Sequence, residues 1–336
     1  MLAVLLWRDG AEHGAAGRKG RTDPVREMIP LEEARALVCG AVEKLPVETV
    51  ELLDAVGRVV AADQTSDIDV APFAHSAMDG FALRAAEIAE ATEEAPATLR
   101  VIAEIGAGDV FEGTIDDGEC VRIMTGAPIP AGADCVIRQE DTDLGHPCVQ
   151  IYQELRRHEN YCFAGEDYQK GGVLLAAGTV LDAAALGVLA GAGLWERPMA
   201  IYPRPRVLLA GTGDELVRPG QPLKPGQIYN SNLPQLAARC RQLGLAADTV
   251  WWPDDPQAVA DGLTAGVRDF DCVITTGGVS VGDKDIFHQA LPLAGAERLF
   301  WRVKLKPGTP LMFSLLEGRP VLSLSGNPFA AAATFE

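Results

Sequence analysis

Val207-Leu-Leu-Ala-Gly-Thr-Gly-Asp-Glu215 places four apolar residues directly before two glycines and two acids. A short continuous apolar run bounded by turn residues reads as a fully buried strand. The glycines that end it let the backbone come close to a ligand. The same grammar recurs twice downstream. Thr249–Trp252 precedes Pro253-Asp254-Asp255-Pro256, and Cys272–Thr275 precedes Gly277-Gly278-Val279-Ser280-Val281-Gly282. Between these strands the apolar residues recur at helical spacing, which predicts helices over Asn232–Leu243, Gln257–Val267 and Asp285–Leu291. Strand, helix, strand, helix is the pattern of an α/β fold, with a parallel sheet carrying helices on both faces.

Outward from this segment the rhythm changes. Leu31–Leu45, after Pro30, predicts a helix, and residues 46–62 are mixed and rich in β-branched side chains. Pro72–Arg84 is full of small and turn residues and reads as a loop. From about 96 to 165, short alternating runs (Leu99–Glu104, Cys135–Gln139, Val149–Leu155) sit between Gly, Pro and Asp, as in a small β-rich domain. The longest apolar stretch, 172–194, is broken by Gly178 and Asp182 and reads as a strand, a turn and a buried helix, with no membrane span.

The chain has 336 residues, enough for about two domains. Its net charge is −18, from 29 basic and 47 acidic residues. That balance argues against nucleic acid and anionic membrane surfaces, both of which need basic patches. A local cradle of N–H groups or a bound cation still permits an anionic small molecule. The seven cysteines form no CxxC pair, which argues against a zinc site or a disulfide framework and for a reducing, cytoplasmic location.

Ligands of open α/β sheets bind beyond the carboxyl ends of the strands. Here those ends carry Glu215, Asp254 and Asp285. Three carboxylates on one edge repel one another unless a cation lies among them, and oxygen ligands suit Mg²⁺ with substrate phosphates. Thr212, Gly213, Gly277, Gly278 and Ser280 add hydroxyl and backbone donors in the same loops. Each residue also has a plainer reading: Asp254 and Asp285 as helix caps, Glu215 as a first-turn acid, Gly277-Gly278 as a tight turn. Further on, Lys304-Leu-Lys306-Pro-Gly-Thr309-Pro310 is either an anion-holding turn or an exposed hairpin. Ser325-Gly326-Asn327, ahead of a helix over Ala330–Ala333, is either an anion site or a simple cap.

These residues belong to a longer ordered series: His75–Ala82 (His-Ser-Ala-Met-Asp-Gly-Phe-Ala), Thr125–Asp134, Gly165–Asp167, Thr212–Leu216, Gly226–Asn232, Gly277–Gly282, Lys306–Pro310 and Gly326–Pro328. In that order they resemble the motifs of the MoeA family, the molybdopterin molybdenumtransferases, from about Met28 to the end of the chain. The resemblance implies insertion of molybdate into adenylylated molybdopterin with release of AMP, dependent on Mg²⁺. It implies a homodimer whose cleft lies between the α/β domain of one subunit and the inserted region of its partner, with a molybdopterin adenylyltransferase as upstream partner. Residues 1–27 are then a disordered extension. Residues 28–200 form a linker domain with a β-rich insert at about 85–165. Residues 201–336 form the α/β molybdopterin-binding domain, and a further C-terminal β-rich domain is missing.

Carried over residue by residue, Asp79, Thr125, Asp167, Glu215, Asp254 and Asp285 match the family's catalytic positions. The last three are also the Mg²⁺ candidates. Ser231, Lys306, Gly326 and Asn327 join the cofactor-binding set, and Ser231, Lys284 and Lys306 are candidates for the oxyanion pocket. On its own residues Asp79 reads as a turn. Thr309, Ser325 and Ala74 depart from the family's usual Lys, Pro and Asp. Two other readings compete: a molybdopterin adenylyltransferase, and a non-catalytic molybdopterin-binding or scaffold module.

Overall fold

A computed structural model describes residues 25–279 and 285–336. It divides into two compact units. One comprises the chain up to Ala62, Gly178–Asp182 and Pro198–Glu336; the other comprises Asp63–Ala177 and Ala183–Arg197. The expected extension at 1–27 lies outside the described residues apart from its last three.

The second unit is built on a five-stranded sheet in the order Cys148–Ile151, Ala97–Ile105, Glu119–Ile123, Gly80–Leu83, Cys135–Arg138. Its alternating runs bury Leu99, Val101, Val121, Ile123, Val136 and Ile137. Here the structure corrects the loop expected at Pro72–Arg84. His75–Ser76 and Gly80–Leu83 are strands, the second wholly buried between two partners. Gly80 looks like a turn residue but sits inside the sheet, because a Cβ there would run into the Ile137 carbonyl. Glycine in a strand marks this kind of close backbone approach.

The first unit contains a seven-stranded sheet in the order Arg26–Ile29, Glu297–Val303, Leu311–Leu316, Arg319–Leu324, Cys272–Thr276, Arg206–Thr212, Ala246–Trp252. Six strands run parallel; Leu311–Leu316 alone runs antiparallel to its neighbours. It is joined to Arg319–Leu324 by the two residues Glu317-Gly318, both with positive φ (51° and 78°), the form of tight turn that matches strand twist. The first strand, Arg26–Ile29, pairs with Glu297–Val303, a contact too distant in sequence for any local pattern to announce.

Both faces of this sheet are buried, as its unbroken apolar runs require. Val207, Leu209, Ile274, Phe300 and Phe313 pack on one side with Leu233, Leu236 and Phe335. Leu208, Ala210, Val273, Met312 and Val321 pack on the other with Val259, Leu263, Phe287 and Leu291. The helices over them are Asn232–Gln242, Pro256–Asp269, Ile286–Ala294 and Pro328–Phe335. No helix among the described residues is long and apolar enough to cross a membrane.

Candidate functional site

Six parallel strands share one carboxyl edge. Ala246–Trp252, Arg206–Thr212 and Cys272–Thr276 are consecutive, so the loops bearing Asp254, Glu215 and Gly277 leave the sheet side by side, at steps of about 4.8 Å. Thr212 is buried at the centre of this edge. Gly277 (φ 93°) and Gly278 (φ 60°) lie against it so closely that a Cβ on Gly277 would strike the Thr212 carbonyl. Gly326 in turn packs on Gly277: a Cβ there would lie 3.4 Å from the Gly277 Cα. At Gly277 and Gly278 the left-handed backbone and these close approaches exclude larger residues.

Asn232 ties these loops together. Its Nδ2 donates to Thr276 Oγ1 (2.7 Å) and to the Gly326 carbonyl (2.9 Å), and Thr276 Oγ1 donates to the Ser325 carbonyl (3.0 Å). Both side chains are buried. Neither residue stood out as a site residue in the sequence. The available signal was Asn232's place at the end of the Gly226–Asn232 motif and at the start of a helix. Thr212 Oγ1 is buried and meets no hydrogen-bond partner among the described residues.

The acids divide by role. Asp255, not Asp254, caps the Pro256–Asp269 helix, accepting from the Ala258 amide (2.8 Å). The capping alternative for Asp254 therefore falls. Burial pushes the Asp254 carboxyl above the usual Asp range, and the charges of Asp214 and Glu215 push the same way. The Glu215 carboxylate folds back over Gly213 (φ 141°), where a Cβ would lie 2.7 Å from it. Asp285 is buried at the start of the Ile286–Ala294 helix, but its side chain makes no capping bond. Among the described residues no three His, Cys, Asp or Glu side chains stand together as a closed metal cage. Glu215, Asp254 and Asp285 thus do not form a preassembled three-carboxylate centre. Ser280 and Lys284 lie outside the described residues.

Other expected residues are placed as follows. Ser231 precedes the Asn232–Gln242 helix without a side-chain cap bond. Asn327 caps the Pro328–Phe335 helix through the Ala330 amide (3.1 Å), and Ser325 Oγ accepts from the Asn327 amide (3.2 Å). Lys306 is exposed on the same edge, roughly 15 Å from the Gly277 strand at three strand spacings. Thr309, where the resemblance expects Lys, donates its hydroxyl to the Leu305 carbonyl (2.6 Å).

In the second unit, Asp79 Oδ1 accepts both from the Thr125 amide and from the Thr125 hydroxyl, each at 2.8 Å. These two bonds, first the backbone one, hold the Asp79 carboxyl below its usual range, helped by the charge of Arg122. The Asp79 turn is thus a fixed ionised carboxylate. Asp167 lies in an exposed loop whose backbone bonds to Val70 (3.0 Å). That loop runs on from Tyr161–Cys162, which pairs with His75–Ser76, so the structure brings the two motif loops together. None of the seven cysteines is joined in a disulfide. The buried Cys120, Cys135 and Cys272 thiols are pushed up to about 12 by burial, which makes them poor nucleophiles.

A sheet whose parallel strands end in glycine- and acid-bearing loops defines an α/β ligand-binding protein. Comparison with known proteins specifies the class. Residues 29–193 match the family model described as MoeA N-terminal region (domain I and II), and residues 210–336 match that described as probable molybdopterin binding domain. The molybdopterin molybdenumtransferase of Nostoc sp. is 36% identical over 322 residues, covering 93% of this chain and 73% of that one. Molybdopterin molybdenumtransferase 2 of Mycobacterium tuberculosis is 37% identical, covering 92% and 77%. A crystal structure of the molybdopterin biosynthesis MoeA protein from Pyrococcus horikoshii OT3 superimposes with a TM-score of 0.76 at 29% identity, covering 92% and 76%. The chain belongs to the molybdopterin molybdenumtransferase family.

Proposed function

We propose that this chain inserts molybdate into adenylylated molybdopterin, releasing AMP, with Mg²⁺ at the carboxyl edge of the seven-stranded sheet. Family membership supports the reaction class. The observation that supports the site is the set of like charges beside the Thr212–Gly277–Gly326 floor. Asp254 is pushed up partly by Asp214 and Glu215, so a cation brought there relieves a repulsion already present. Mg²⁺ keeps near-octahedral oxygen coordination and commonly takes only one or two carboxylates, filling the rest with water and substrate phosphate. An open set made of Glu215, Asp254 and Asp285 fits that habit better than a closed cage would.

In this reading the cation, when bound, supplies charge neutralisation at the phosphoanhydride. Gly213, Gly277, Gly278 and Gly326 admit the substrate backbone-close, and Thr212 offers a buried hydroxyl. Ser231, Lys306 and Asn327 are assigned to the anionic groups of the substrates, and Ser280 to the same set from the sequence motif. The Asp79–Thr125 pair and Asp167 are assigned to substrate handling through their matching motifs. The fixed ionisation of Asp79 makes it a standing hydrogen-bond acceptor rather than an acid. A homodimer and an adenylyltransferase supplying the substrate belong to the same reading.

The test is AMP release from adenylylated molybdopterin with Mg²⁺, with and without molybdate. Molybdate-dependent AMP release that is lost in Asp285→Ala and Glu215→Ala supports the proposal. Consumption of ATP in its place would favour the adenylyltransferase. Tight substrate binding without AMP release would overturn the catalytic reading in favour of a binding module.

A further inference from the structure

The Glu297–Val303 strand contains a bulge. Arg298 pairs with Ser314 but Phe300 pairs with Phe313, so one residue is unmatched between them. Side chains alternate along a strand, and an extra residue resets the alternation. Arg298 and Trp301, three positions apart, therefore share a face. On that face a cavity of about 300 Å³ is lined by Val25, Glu27, His288, Arg298 and Trp301. None of these belongs to the carboxyl-edge loops.

The lining is rich in donors and poor in acceptors. Arg298 Nη1 lies 2.8 Å from His288 Nδ1. A guanidinium only donates, so Nδ1 is the acceptor in this contact. The His288 ring stands edge-on to Trp301, with centroids 4.3 Å apart. No ion pair among the described residues includes Arg298. Among the described residues, Arg298 Nε and Trp301 Nε1 are buried and meet no acceptor, and the buried hydroxyl of Ser314, opposite Arg298, has no partner. The lining carboxylate, Glu27, is drawn to Arg302 (3.5 Å), which itself stacks over the Trp301 ring at 4.0 Å. A half-buried cation without a counter-ion, next to N–H groups without acceptors, is costly unless an anion completes it.

We propose that this cavity is a second anion site, taking a small tetrahedral oxyanion, free or as a phosphate ester. Arg298 supplies the charge, and the Trp301 indole N–H, buried beside the cavity, is a further donor without an acceptor among the described residues. The volume lies at the lower end of small-molecule sites, so it admits a bare ion or one with a modest organic group.

The experiment uses the full chain with ¹⁵N-labelled tryptophan. Its five tryptophans give five indole signals, and Trp301→Phe assigns the one that matters. Inorganic phosphate, molybdate and AMP are titrated separately at low ionic strength. The expected result is a saturable shift of the Trp301 indole signal with at least one probe. Arg298→Gln should weaken binding at least tenfold, and Arg298→Lys, which keeps the charge but loses the planar fork, should weaken it less. In Trp301→Phe, calorimetry should show affinity reduced several-fold. A response to phosphate and molybdate alone supports a free-ion site; a response to AMP alone supports an ester site. If Arg298→Gln loses the dispersed indole pattern of a folded chain, Arg298→Lys decides. A Trp301 signal that ignores all three probes, or that titrates equally in wild type and both Arg298 variants, sinks the proposal.

Discussion

Two single residues show how much the second unit depends on atoms that are absent or shared. Gly80 lies between two partner strands of a sheet, where any Cβ meets the Ile137 carbonyl. Gly80→Ala is expected to cost about 3 kcal/mol, the upper range for forcing an extra group into a packed interior, read as a lowered urea midpoint. Asp79 is held ionised by two bonds from Thr125. Because its folded pKa is depressed, whatever stability it contributes is present above the unfolded Asp pKa and is lost only as pH falls through the lower folded value. Thr125→Val removes the hydroxyl bond but keeps the amide bond. The Asp79 carboxyl titration, followed by carbon NMR, should then move up toward the normal Asp range; an unmoved titration would show that the amide alone sets it. Asp79 could not be told from an ordinary turn acid by local sequence, because its partner is forty-six residues away.

At the scale of elements, adjacent aspartates separate cleanly. Asp255→Ala should lose a helix cap, worth about 1 kcal/mol, with AMP release unchanged. On the proposed Mg²⁺ site, the cation should raise the melting temperature of the wild type, and Asp254→Asn should leave helix stability intact but abolish that rise. Asn232→Ala unties the loops after three strands. Leaving buried acceptors without their donor should cost about 1–3 kcal/mol, and substrate affinity should fall with it. The helices and central strands here were legible, since each has its own apolar period. Asn232–Leu243 and Gln257–Val267 differ from the observed Asn232–Gln242 and Pro256–Asp269 only at their ends. The hairpin of Leu311–Leu316 with Arg319–Leu324, and the antiparallel direction of its first strand, were not legible, because an antiparallel strand within a parallel array is decided by its neighbours. The choice of Asp255 over Asp254 as cap was open to the sequence: proline favours the first helical position, which makes the residue directly before Pro256 the N-cap.

Over the whole molecule, the −18 charge surrounds a site assigned to anionic substrates. Such a field slows encounter, and salt screens it over about 10 Å at 0.1 M. Substrate capture, measured as kcat/KM, should therefore rise when ionic strength goes from low to physiological values; a fall would mean that local cations such as Lys306 steer the approach. The global reading of an α/β sheet was available from three strand–loop units. The reading of Val25, Glu27, Arg298 and Trp301 as one cavity was not, because it needs the first strand to meet one near the end.

That pairing of Arg26–Ile29 with Glu297–Val303 also sets a schedule for the ribosome. The stretch that closes one side of the large sheet is made first and must wait for roughly 270 further residues, about 15–50 s at typical elongation rates. The five-stranded unit ends at Arg197 and can be finished during that interval. Until then the early strand has no template, so a nascent chain stalled between Arg197 and Glu297 should present one finished module tethered to unpaired β-forming segments, the kind of exposed edge that chaperones recognise.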